Sequence, residues 1–281
     1  MADTTGEADL RAEAISKLVK GFALENYVMK QLCMIENSTA WTETYYKETA
    51  ADLTGGTGSA IKGVPRLANF PYAEVSWTKT SARNVKHAVE GVISWEDIKT
   101  NNIPMIQRTL LRLSRAITKS VDDEISAVIV SGAGNTTAGT DWNDAVIADR
   151  DPVQDLLRAK SLISIDNYNP DRNGYLLVHP TNYAELLGNA SVRNAGQFWT
   201  DSATKNGRVG MIAGLTVLVS NSVTLGGAQV VIAKEAMTWK SVQGLKIETI
   251  NDPGIKTTVR AWEVGQIQVV NEDAICTITA I

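Results

Sequence analysis

The clearest periodic run of apolar positions is Ile106, Leu110, Leu113, Ile117, Val121, Ile125 and Val128, at spacings of four, three, four, four, four and three. That period predicts an amphipathic α-helix. Pro104 suits a first helical turn and Gly132 a stop, so the helix is expected over 104–131. At 1.5 Å per residue it would be about 42 Å long, more than twice the usual length, and is read as a spine. Arg108, Arg112, Arg115 and Lys119 recur on its outer side at three- and four-residue spacing. Such a row is either a solvated face or a set of ion pairs to a neighbouring subunit, ahead of a nucleic-acid stripe.

Before the spine the period changes. Residues 7–35 carry apolar positions near a helical period, interrupted at Gly21, and read as a broken amphipathic helix or an arm whose apolar side needs a partner. Trp41–Glu48 and Tyr72–Thr80 alternate as a strand and its return. Glycines 55, 56, 58 and 63 exclude a helix between them. A connection of that length is either a surface loop or a two-stranded flap reaching another molecule, since an isolated hairpin is marginal alone. Val85–Ile93 is a further strand, followed by a polar stretch to Asn102.

After the spine, Ser131–Gly139 superficially resembles a dinucleotide loop, but a helix precedes it and the third glycine comes two residues late. Cofactor binding is not expected there. Asp141, Asp144, Asp149 and Asp151 lack the glycine and terminal glutamate of a calcium loop and read as solvated. Residues 152–242 alternate helix and strand: helix over Pro152–Ile165, a turn cluster at Asn169–Gly174, strand Tyr175–Val178, helix from Thr181 to Leu187, strands Ile212–Ser220 and Ala228–Ala233. This suggests a small α/β unit with its sheet covered on both sides. Beyond Gly244 the pattern is β only, with strands at 245–250, 257–264 and 274–279.

Composition narrows the chemistry. The formal charge is −4, from 27 basic and 31 acidic residues, which argues against a dedicated nucleic-acid binder. Hydrophobic residues make up 44%, enough for a real core, yet no apolar stretch approaches the ~18 residues of a membrane helix. The acidic, polar start does not look like a secretory signal, so the chain is expected to remain in the cytosol where it is made. Cys33 and Cys276 are the only cysteines and His87 and His179 the only histidines, which leaves no disulfide framework and no zinc motif. Both cysteines sit in apolar settings and read as buried structural thiols. No metal or cofactor is expected.

The order of parts resembles the major capsid proteins of tailed bacteriophages, of the Hong Kong 97 type. Three local stretches carry the resemblance: Tyr175–Leu187 with its His179-Pro180 step, Gly210–Asn221 with glycine, aliphatic, glycine, strand, Ser-Asn, and the close Asn271–Thr279. The likeness covers about residues 8–281. It implies an α+β fold with an N-terminal arm (1–40), an extended β-hairpin flap or E-loop (41–82), a peripheral domain (83–151 and 243–281) holding the spine at 104–131, and an axial α/β domain (152–242). It also implies hexamers and pentamers of the chain in an icosahedral shell around double-stranded DNA, bound without sequence specificity and away from membranes. Portal, separate scaffolding and decoration proteins would be the partners, the virion the destination and the host cytoplasm the place of assembly. Many relatives begin with a removable scaffolding segment; none is expected here, which implies a separate scaffolding protein or none. Lys62 and Lys79 fall in the flap, but no cross-linking residue is carried over.

Aromatic residues fit that reading independently. Tyr27, Trp41, Tyr45, Tyr46, Tyr72 and Trp77 crowd the arm and flap, where exposure is costly and interfaces gain most. Tyr45, Tyr46, Tyr72, Trp77, Arg108, Arg112, Arg115 and Lys119 are therefore the expected subunit interface. The alternatives are an encapsulin, a similar shell filled with enzyme cargo, and an enzyme of the α/β unit, for which His179, Asp171 and Ser220 would have to converge.

Overall fold

The computed structural model of the chain describes residues 27–47, 66–67, 77–100, 103–144, 146, 150–190, 192 and 210–281. The described residues open with a 3-10 turn, Lys30–Leu32, and strand β1, Met34–Asn37. Strands β2, Thr42–Lys47, and β3, Thr78–Arg83, precede β4, Val85–Ser94. Helix α1, Trp95–Lys99, leads into α2, Ile103–Ser131, the spine. Then follow β5, Asn135–Ala138, α3, Pro152–Ile165, α4, Pro170–Asn173, β6, Gly174–Val178, and α5, Pro180–Gly188. The remainder is β7, Met211–Ile212, β8, Leu215–Val219, β9, Gly227–Ile232, β10, Met237–Asp252, β11, Lys256–Val269, and β12, Ile275–Thr279.

Three sheets result: β1-β10-β11-β4, β5-β12-β9-β6-β8-β7, and the β2-β3 pair. The spine spans the first two. Leu110 and Leu113 pack with Ile93 of β4 and Val259 of β11, while Ile117, Val121, Ile125 and Ile129 belong to the main core. That core includes Leu176 and Leu177 of β6, Val230 and Val231 of β9, and Leu156, Ala159 and Ile163 of α3. Removal of such wholly buried aliphatic surface from water, at roughly 25 cal/mol per Å², is what holds helix and sheet together.

Several expectations give way to tertiary partners. The helical pattern over residues 7–26 lies outside the described residues. From Tyr27 onward no helix continues, because the Val28 and Met29 amides donate to the Asp122 carboxylate, at 3.0 and 3.2 Å, and Cys33 turns extended into β1. The polar stretch after β4 holds α1, capped by Ser94 Oγ, which accepts from the Asp97 amide at 3.1 Å. The expected turn cluster at 169–174 contains α4, capped by Asn169. The expected strand at 212–220 is a hairpin, β7 and β8, whose turn residues Ala213 and Gly214 have φ of 49° and 81°.

The glycine-rich loop after the spine contains β5, paired in parallel with β12. Gly134 permits it: a Cβ there would meet Asp273 Oδ1 at 2.4 Å, and its amide donates to the Glu272 carbonyl at 2.8 Å. The six-stranded sheet thus takes β5 and β12 from outside residues 152–242, while β10, starting at Met237, belongs to the four-stranded sheet.

Candidate subunit interface

The β2–β3 hairpin pairs from Thr42↔Arg83 to Lys47↔Thr78. Alternation puts Glu43, Tyr45 and Lys47 on one face, half-buried, and Tyr46 on the other. Tyr46 is 55% exposed and Trp77, just before β3, 51%. Tyr72 and the glycine run of the flap lie outside the described residues. The face bearing Glu43 and Lys47 rests on its own chain. Lys47 pairs with Glu272 at 3.1 Å, and Gln268 Nε2 donates to Glu43 Oε2 at 3.4 Å. Strand β2, within the expected flap, therefore contacts its own chain on one face.

The basic row is exposed along its whole length. Lys119 pairs with Asp123 at 2.8 Å. Arg108, Arg112 and Arg115 have no ion-pair or hydrogen-bond partner among the described residues. The inner side of the same helix, Leu110, Leu113, Ile117 and Val121, is buried, so the fold presents the guanidinium groups outward without using them.

A buried polar cluster, not foreseen from the sequence, holds Tyr27 and Lys30 against β11 and the Val28 and Met29 amides against the spine. Glu263 on β11 is fully buried; the Tyr27 hydroxyl donates to its Oε2 at 2.6 Å and the Lys30 ammonium to its Oε1. That ammonium also lies 4.7 Å from the centre of the Tyr27 ring and 5.2 Å from that of Trp239. Burial pushes Asp122 up to about 6 against the pull of the arm's amides, and lifts the Tyr27 phenol well above its usual range. The signal available in the sequence was a polar row at four-residue spacing, Ser114, Thr118, Asp122 and Ser126, beside the apolar positions of the spine.

Both cysteines are buried, and loss of solvation raises their thiols to about 12 for Cys33 and about 11 for Cys276. His179, Asp171 and Ser220 serve separate local roles. His179 Nδ1 accepts from the Thr181 amide at 3.2 Å as the cap of α5, Asp171 pairs with Lys160, and Ser220 Oγ accepts from the Ser222 amide. Among the described residues no group of three or more His, Cys, Asp or Glu is placed to hold a metal ion, and no helix is long and apolar enough to cross a membrane.

The family model for phage capsid proteins matches residues 78–278. No curated protein matches the chain. Among solved structures, the capsid of cyanophage P-SCSP1u is similar at 16% identity and TM-score 0.68, over 91% of this chain and 88% of that one. A virus-like particle from Pyrococcus furiosus is similar at 10% identity and TM-score 0.65, over 95% and 98%. A structure from Mycobacterium phage Che8 is similar at 14% identity and TM-score 0.62, over 90% of each chain.

Proposed function

The chain belongs to the phage capsid protein family and is a shell protein with the Hong Kong 97 type fold, and from that premise we propose how it builds a head. Copies join as hexamers and pentamers into a closed icosahedral shell around double-stranded DNA. The arm, flap, peripheral and axial parts drawn from the sequence are its working divisions. The observation that supports this most is the separation between what the fold uses and what it leaves out: the spine buries one side in both sheets, while Arg108, Arg112, Arg115, Tyr46 and Trp77 stand outward. Exposed aromatic and arginine side chains are those that interfaces employ most.

Portal and scaffolding proteins, and assembly in the host cytoplasm, belong to the same proposal. Decoration proteins accompany the major capsid proteins of the similar phage G structure, and such a partner is proposed here as well. The family match counts against a cargo compartment of the encapsulin kind. Nuclease treatment of shells isolated from infected cells tests the contents. Protected double-stranded DNA is expected, whereas shells holding an enzyme and no nucleic acid would overturn the reading.

A further inference from the structure

The inner face of β4 carries His87, Val89, Gly91 and Ile93 at the two-residue period of a strand. At one end its contact with the spine is apolar: Ile93 packs with Leu110 and Leu113, and a Cβ on Gly91 would meet Leu113 Cδ1 at 2.8 Å. At the other end it is polar. His87 Nδ1 hydrogen-bonds with Ser120 Oγ of the spine at 2.8 Å, while Nε2 is buried without a partner among the described residues. The ring centre lies 6.4 Å from that of Trp239, whose indole N–H is likewise buried and unpartnered and can only donate. The cross-strand neighbour, Glu263, already accepts from Tyr27 and Lys30. A neutral ring that donates Nδ1–H to Ser120 leaves only a lone pair unmet. A charged ring adds a buried N–H with no acceptor, which is the costlier state.

We infer that His87 is an acid-sensitive joint between β4 and the spine: charging its ring loosens this end of the seam, while the apolar end at Ile93 holds. The inference concerns the single subunit and does not depend on the shell reading. A proton has a way in, because His87 and Ser120 line a surface groove of about 610 Å³. Most charges around the ring are already matched. Lys119 pairs with Asp123 and Lys30 with Glu263, and the Lys86 ammonium lies 5.8 Å from the centre of the Trp262 ring. Loss of solvation holds the imidazole below its ordinary value of 6.5; Glu124 and Glu263 oppose that shift and Lys30 adds to it. A lowered value means that the unfolded chain takes up this proton first. The stability His87 contributes is therefore complete above 6.5 and is lost as the pH falls through the lowered value. Asp122, raised from 3.8 to about 6, acts in the opposite sense over the same range, since the folded chain binds its proton more tightly. A variant at position 87 that retains Asp122 separates the two.

The test is hydrogen exchange of the full chain and of His87→Gln, near pH 7.5 and near pH 5, corrected for the intrinsic pH dependence of exchange. Glutamine keeps an amide that can meet Ser120 but takes up no proton in this range. Protection of residues 85–89 and 116–124 should fall at least about tenfold more in the native chain than in the variant, with residues 110–113 unchanged in both. An equal fall in the two chains, or no fall in the native one, overturns the inference. Should His87→Gln fail to fold, the native chain decides by itself, through magnetic resonance of its two imidazoles, the one with cross-relaxation to Trp239 being His87. That ring should become charged in step with the loss of protection. Charging without that loss, or the loss without charging, overturns the inference.

Discussion

Arg108, Arg112 and Arg115 can be changed without disturbing any ion pair or hydrogen bond described inside the chain, so their role is separable from folding. If they held DNA, replacing two of them would weaken binding and lower its salt dependence by about one counterion for each phosphate no longer neutralised. If they pair with carboxylates of adjoining copies, Arg112→Gln with Arg115→Gln should reduce the yield and thermal stability of empty shells. The second outcome is expected, read by sedimentation of shells assembled without nucleic acid; normal empty shells that package no DNA would contradict it. Lys30 is the opposite case, since it is the only cation paired with the fully buried Glu263 among the described residues. Lys30→Met leaves a carboxylate in the interior with only the Tyr27 hydroxyl, at an expected cost of about 3 kcal/mol in thermal or denaturant unfolding. An unchanged midpoint would show that the cluster contributes little.

At the scale of elements, the β2–β3 hairpin is tied to its own chain through Glu43 and Lys47 on one face and leaves Tyr46, proposed as assembly surface, on the other. Tyr46→Ser with Trp77→Ser should leave subunit stability within about 0.5 kcal/mol, because both side chains are already half in solvent, and should lower shell yield several-fold. Loss of subunit stability comparable to a core truncation would place them in the intramolecular core instead. Elements whose own period decides their state were legible in the sequence. The spine, expected over 104–131, spans Ile103–Ser131, and α3 has the expected bounds. Elements decided by distant partners were not. β5, Asn135-Thr-Thr-Ala, has no strong apolar alternation and exists because β12 pairs with it. β1 continues a helix-like pattern but is claimed by the edge of β10. The β7–β8 turn needs a left-handed Ala213, which no turn rule anticipates. Among the candidate interface residues, the outward arginines followed directly from helical spacing. The Tyr27–Lys30–Glu263 cluster did not, because Glu263 lies 233 and 236 residues away from its partners in sequence.

For the whole molecule, one long helix crossing both larger sheets makes a single body from which an edge, a hairpin and a basic row face outward. A mildly acidic body, −4 overall, suits the proposed role of a wall that would contain DNA without gripping it. The central claim is that copies of this chain close into a shell. Electron microscopy of the chain expressed and purified alone tests it most directly. Closed shells of uniform diameter are the expected result, and monodisperse monomers under every solution condition would contradict the account.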